Sequence, residues 1–250
     1  MPKQDDRLQK TSPAWRRKLD QRYRRYAPHH PKISWKRWTV ATLFLITLAA
    51  FFFDRPAIEW ARTGPEWLRD FAADITDAGK SGWILVSAAV IGIGSHFLGR
   101  RLGARMHRFR AIRLVHASLY VFVSVAGSGL IANLAKCAIG RARPMHMDEM
   151  GTMGFQPFAH DYAFESFPSG HSTTDGALAM ALAILFPAFR VPFLLLGFFL
   201  ATTRTLVVAH YPSDVIGGFS LGAWFALMMA IVFARYGILF RTGLPGARAQ

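Results

Sequence analysis

The sequence predicts an all-α integral membrane protein, a bundle of six transmembrane helices. Three observations carry this. Apolar residues make up 52% of the chain, Phe alone occurs 21 times, and mean hydropathy is positive at +0.22, a composition suited to a bilayer rather than a soluble domain. Six apolar stretches approach the roughly 20 residues that a helix needs to cross hydrocarbon. The segments between them alternate between basic and acidic, as the positive-inside rule requires of a multi-pass chain.

Residues 1–34 form a basic leader, with Arg16, Arg17, Lys18, Arg22, Arg24 and Arg25 at its centre, so it should stay cytoplasmic. It serves as a topogenic tail or as a patch for anionic headgroups, and a short amphipathic helix over 15–25 is compatible with both. No cleavable signal pattern is evident. The spans then fall at 35–53, 82–98, 112–134, 172–186, 191–203 and 214–236, within a membrane domain of residues 35–236. The fourth and fifth are short and polar at one end, as expected where a helix end lines a site instead of facing lipid. Acidic residues outnumber basic ones in the 54–80 loop, which belongs outside, whereas the Arg-rich 100–113 connection returns to the cytoplasm. Counting on, the 135–171 loop and the 203–213 turn lie outside, and the 237–250 tail lies inside.

A net charge of +15 would suggest nucleic acid in a soluble protein, but here the excess sits in the leader and the cytoplasmic connection, so no nucleic-acid partner is expected. Cys137 is the only cysteine, which excludes an intrachain disulfide and a thiolate metal cluster. It reads as a small helix-packing residue. His96, His116 and His160 lack a paired carboxylate spacing and read as structural, so no metal site is expected.

Three segments stand at ends of the later spans. In the first, Lys136 and Arg143 are seven residues apart, close to two turns of a continuing helix, with Arg141 out of phase and Pro144 ending the run. An Arg fork binds two phosphate oxygens and Lys adds a mobile charge, although basic residues at helix ends are also ordinary membrane anchors. In the second, Pro168-Ser169-Gly170-His171 leads into the fourth span, where a helix start presents free N–H groups to an anion. By itself it is also a plain capping turn. Asp175 lies one turn beyond His171 and is either its charge partner or a polar residue bonded within the bundle. The third segment holds Thr203, Arg204, His210 and Asp214, in which Asp214 can orient His210 and offset the charge it gains as a nucleophile.

The order and spacing of these segments resemble the three-part signature of the type 2 phosphatidic acid phosphatase family, over roughly residues 80 to 236. Thr203, in place of the usual serine, is the one departure and keeps the hydroxyl. The resemblance implies metal-independent phosphoryl transfer with no cofactor, in a helical membrane bundle. It implies that Lys136, Arg143 and Arg204 hold the phosphoryl oxygens with Ser169 and the Gly170 amide. His210 would attack phosphorus, Asp214 would orient it, and His171 would protonate the leaving oxygen. The expected partner, besides the bilayer, is a phosphorylated membrane lipid: a polyprenyl diphosphate, phosphatidate, phosphatidylglycerophosphate or a lipid A phosphate. A bacterial inner membrane with the site on its periplasmic face is the expected location. The competing readings are a lipid-to-lipid phosphotransferase and a non-catalytic binder of anionic lipid.

Overall fold

The computed structural model describes residues 13–27, 34–102 and 105–240. After leader helix α1 (Ala14–Tyr26) come α2 (Trp35–Phe52), α3 (Asp54–Thr63), α4 (Glu66–Thr76), α5 (Ser81–Arg101) and α6 (Arg105–Ile139). The single turn α7 (Met147–Met150) follows, then α8 (Gly170–Leu185), α9 (Arg190–Leu206) and α10 (Pro212–Arg235). Among the described residues the only strand-like pairing is an isolated bridge between Arg141 and Phe155.

Five helical stretches are long and apolar enough to cross a membrane: Trp35–Phe52, Glu66–Arg101, Arg105–Ile139, Pro187–Leu206 and Pro212–Arg235. The fourth expected span differs. It forms α8, which has 16 residues and buries nine of them between Ser172 and Ala183. Helices α6, α9 and α10 pack around it, so its surroundings are protein and its first turns can be polar. By contrast α2 and α5 expose Phe44, Phe51, Val86, Val90 and Ile93, the surface that lipid covers.

Small residues set the closest contacts of this core. A Cβ on Gly218 or Gly222 of α10 would collide with the Ser169 or Thr173 carbonyl, and one on Gly176 of α8 with the Phe219 carbonyl. The Gly218-x-x-x-Gly222 spacing thus lets two backbones touch where neither could carry a side chain. This approach carries the start of α8 against the start of α10, where Ser169 N donates to Asp214 O at 3.1 Å.

The 54–80 segment is not a loop. It folds into α3 and α4, whose buried residues recur at helical spacing: Asp54, Ile58 and Ala61 on α3, and Ala72 and Thr76 on α4, one inward stripe on each helix. Arg62 of α3 donates to Asp148 at 2.8 Å and to the Pro144 carbonyl at 2.6 Å, which pins the loop after α6. The leader holds α1, docked on the far end of α10: Arg22 donates to the Gly237 carbonyl at 3.2 Å, and Tyr23 meets Tyr236 with ring centroids 5.5 Å apart. Gly237 takes the left-handed cap position at φ 59°, and a Cβ there would strike the Tyr26 ring. The remainder of the leader, residues 1–12 and 28–33, and the tail from 241 lie outside the described residues.

Candidate active site

The reading of Lys136 and Arg143 as two turns of one helix does not hold. Helix α6 stops at Ile139, and Gly140 turns the chain at φ 61°, where a Cβ would collide with the Gln156 carbonyl; only glycine fits such a position. Arg143 is therefore in extended backbone, at φ −77° and ψ 163°. The two cations still converge, since Lys136 lies within the electrostatic reach of Arg143, Arg204 and Asp214. Its ammonium is also the nearest neighbour of Gly170, with Nζ 3.6 Å from where a Cβ would stand. The site thus gathers the end of α6, the start of α8, the end of α9 and the start of α10.

Arg143 is 5% exposed and held entirely by carbonyls: Nε donates to Tyr162 O at 2.9 Å, Nη1 to Ala209 O at 3.2 Å and Nη2 to Glu165 O at 3.2 Å. The Tyr162 ring lies 3.7 Å from its guanidinium carbon. Carbonyl dipoles orient the fork without cancelling its charge, and N–H groups remain for an anion. Arg204 donates from Nη1 to Thr76 Oγ1 at 3.1 Å, while its buried Nε has no partner among the described residues. Thr203 Oγ1 donates to the Leu200 carbonyl at 2.6 Å and accepts from the Thr76 hydroxyl at 3.0 Å. Its hydroxyl faces α4 and helps place Arg204 next to it.

Ser169 caps α8, its Oγ accepting from Ser172 Oγ at 2.9 Å and from Ser172 N at 3.4 Å. The Gly170 and His171 amides that follow have no intrahelical acceptor. Arg204 and Lys136 are the cations that act on His171, and Asp77, just after α4, is its acidic neighbour. Asp175, the sequence candidate for that part, is buried with its carboxylate over Gly79 and interacts with Arg204.

His210 is 2% exposed, and its Nδ1 stands 3.8 Å from Asp214 Oδ2. That is ion-pair range, longer than a hydrogen bond, and Nδ1 has no partner among the described residues. Burial draws the His210 pKa down to about 4, and Arg143 and Arg204 act in the same direction against Asp214. The imidazole is neutral at physiological pH. Asp214 is held on every side: Oδ1 accepts from Arg141 Nη1 at 2.6 Å, and Oδ2 from Ser166 Oγ at 2.6 Å and Tyr211 N at 2.9 Å.

Sequence spacing alone missed Arg141, Asp54, Ser166 and Thr76. Asp54 carried a usable signal, because a carboxylate directly after the apolar run Phe51-Phe52-Phe53 is costly unless it is paired. Of the Met-rich and aromatic 145–167 loop, Met147 is buried, whereas Met145, Met150, Met153, Phe155, Phe158 and Tyr162 are exposed. Cys137 is half-buried, with Sγ 3.7 Å from His160 Nδ1. Among the described residues no three His, Cys, Asp or Glu side chains converge as a metal ion needs.

Residues 117–237 match the profile of the PAP2 superfamily. The chain is 41% identical over 228 residues to lipid A 1-phosphatase of Rhizobium johnstonii, covering 91% of this chain and 93% of that one. The chain belongs to the PAP2 superfamily. A second PAP2 relative, lipid A 1-phosphatase of Rhizobium etli, is 39% identical over 86% of this chain and 92% of its own. Phosphatidylglycerophosphatase B of Bacillus subtilis is 27% identical over 62% of this chain and 70% of its own. The fold matches the crystal structure of a transmembrane PAP2-type phosphatidylglycerolphosphate phosphatase from Bacillus subtilis. That match has a TM-score of 0.55 at 22% identity and covers 78% of this chain and 92% of that one. Hydrolysis of a membrane-lipid phosphate, the activity expected from the three motifs, fits this PAP2 assignment.

Proposed function

We propose that this PAP2 protein removes the 1-phosphate of lipid A, working at the periplasmic face of the inner membrane. The substrate rests on the lipid A 1-phosphatase relatives, which align along nearly their whole length. The chemistry rests on one observation: a buried histidine, His210, whose Nδ1 stands 3.8 Å from Asp214 Oδ2 at the meeting point of three cationic motifs. Its Nδ1 faces Asp214, so Nε2 is the nitrogen left to attack. Lys136, Arg143, Arg204, the Ser169 hydroxyl and the Gly170 amide hold the phosphoryl oxygens, and their charge offsets what builds up as phosphorus becomes five-coordinate. The N–P bond forms as the bond from phosphorus to the lipid oxygen breaks, and His171 gives that oxygen its proton. Water then attacks phosphorus, giving a proton to the now neutral His171, the N–P bond breaks and inorganic phosphate leaves.

In this reading six helices cross the membrane, with α8 as the protein-enclosed fourth, within a domain of residues 35–236. Both termini are cytoplasmic. The basic leader supports that orientation, and so does the docking of α1 at the end of α10 remote from the catalytic histidines. The test is the purified protein in detergent with lipid A, phosphatidylglycerophosphate and undecaprenyl diphosphate. Free phosphate is measured, and lipid products are followed by mass spectrometry. Lipid A should lose one phosphate fastest, and His210→Gln should lower turnover by roughly 10³-fold or more. A His210→Gln protein that still turns over lipid would overturn the mechanism. Phosphate appearing on a second lipid instead of in solution would convert the assignment to a transferase.

A further inference from the structure

Behind the phosphate site lies a second charged group that nothing in the three motifs assigns. Asp54 opens α3, is completely buried and sits far before the family-matched region of residues 117–237. Its Oδ1 accepts from Ser213 N at 2.9 Å, and its Oδ2 from Ser213 Oγ at 2.6 Å and Arg141 Nη2 at 2.7 Å. It therefore caps the first turn of α10 from a different helix. Arg141 spans the gap between the carboxylates: Nη1 reaches Asp214 Oδ1 and Ser213 Oγ, each at 2.6 Å. Nε and Nη2 also donate to the Thr152 carbonyl, at 3.3 and 2.8 Å. These contacts use every N–H of the guanidinium, so Arg141 has nothing left with which to bind a phosphate.

The charge count gives Asp54 its role. Burial raises the Asp54 pKa, while Arg141 and the two Ser213 donors favour its ionised form; with both carboxylates ionised, two share one guanidinium, which leaves this buried group one negative charge in surplus, on the side where Asp214 faces His210. Without Asp54, Arg141 would neutralise Asp214 alone. His210 becomes positively charged when it takes the phosphoryl group, and in a site of low dielectric that charge needs an uncompensated partner nearby. We infer that Asp54 is a positioning residue: by drawing on Arg141 it keeps Asp214 negative toward His210 and so promotes phosphorylation of the histidine. This rests on the reading of His210 as nucleophile.

The experiment uses the full-length protein in detergent with lipid A and compares wild type, Asp54→Asn, Arg141→Gln, the double variant and His210→Gln. The amide that replaces the carboxylate in Asp54→Asn is isosteric with it and can still accept from Ser213 N. Asp54→Asn should lower kcat about tenfold or more, the scale on which outer-shell partners act, with KM within about twofold because binding of the phosphate is untouched. Removing both members of the pair restores the single surplus charge on Asp214, so Asp54→Asn/Arg141→Gln should recover most of the lost kcat. A structural role predicts the reverse, with the double variant as poor as the worse single one. Wild-type kcat in Asp54→Asn, or a double variant no better than it, would overturn the inference. If Asp54→Asn does not fold, the double variant decides: kcat within about threefold of wild type supports the charge count and a tenfold deficit overturns it. Turnover by His210→Gln would instead remove the nucleophile reading on which the inference rests. An inactive His210→Gln alongside a wild-type Asp54→Asn would remove the present inference alone.

Discussion

Arg141 and Arg143 are two residues apart, almost equally buried at 4% and 5% exposure, and differ in what accepts from them. Carboxylates hold Arg141, through Asp54 and Asp214, whereas backbone carbonyls hold Arg143. A carboxylate neutralises a guanidinium, and a carbonyl only aims it. The first arrangement makes a structural ion cluster and the second an anion receptor, from the same side chain in the same loop. The difference comes from what each side chain meets once the helix has ended before Gly140: Arg141 reaches Asp54 of α3 and Asp214 at the start of α10, whereas Arg143 reaches the carbonyls of Tyr162, Glu165 and Ala209.

Four measurements test that contrast, from the largest expected effect down. Arg141→Gln strands two buried carboxylates, so it should cost about 3–5 kcal/mol of stability, seen as a lower melting temperature in detergent. A melting temperature within a degree or two of wild type would mean that the cluster is not structural. Arg143→Gln should act on turnover instead, with about 10²–10³-fold lower kcat/KM, as for removal of one charged donor to a transition state. Its fold should survive, because it leaves behind neutral carbonyls and no buried carboxylate. If the two variants exchanged these phenotypes, the contrast would be reversed.

The third measurement concerns acid. His210 has its pKa lowered from 6.5 to about 4 by burial, so between those values the unfolded chain binds a proton that the folded chain refuses. The stability contributed is present above about pH 6.5 and is lost as pH falls toward 4, by about 3 kcal/mol at most. Denaturation in detergent from pH 7 to 4 should show that slope, and His210→Gln should lack its share of it. An identical slope in the variant would place His210 in contact with water. Smallest is Thr203→Ser, which keeps the hydroxyl that bonds Leu200 and Thr76 and should change kcat/KM by less than about threefold. A larger loss would give the threonine methyl a part in placing Arg204.

The motif residues were legible because their chemistry is local. Ser169 at a helix start and Arg204 at a helix end are visible in the order of residues, and the apolar periods around them locate those ends. Arg141 was not, because its role depends on the break at Gly140, and a continuing helix put it out of phase. Asp54 and Thr76 were hidden by distance: they reach the site through the packing of α3 and α4 on α9 and α10, and no spacing rule spans that interval. The short α8 was readable as polar at one end, but that its walls are protein follows only from the Gly218-x-x-x-Gly222 contact. The leader shows the same limit, since its basic residues give a side of the membrane and not the seat of α1 on Gly237.

That enclosed helix bears on how the chain is made. The first two turns of helix α8 carry His171, Ser172, Thr173, Thr174 and Asp175, and a stretch so short and polar leaves a translocation channel for lipid at a free-energy cost, with Asp alone costing about 3 kcal/mol near a helix centre. The surface that would receive it is made by α9 and α10, which are synthesised later. If all six helices cross the membrane, as proposed, α8 is expected to integrate together with α9 and α10 rather than ahead of them. Chains truncated after residue 188 should fail to integrate α8 in a glycosylation-mapping assay, whereas chains extending past residue 236 should succeed. The proposed site, which takes His210 from just before α10 and Asp214 from its first turn, would then be complete only when that last helix is in place.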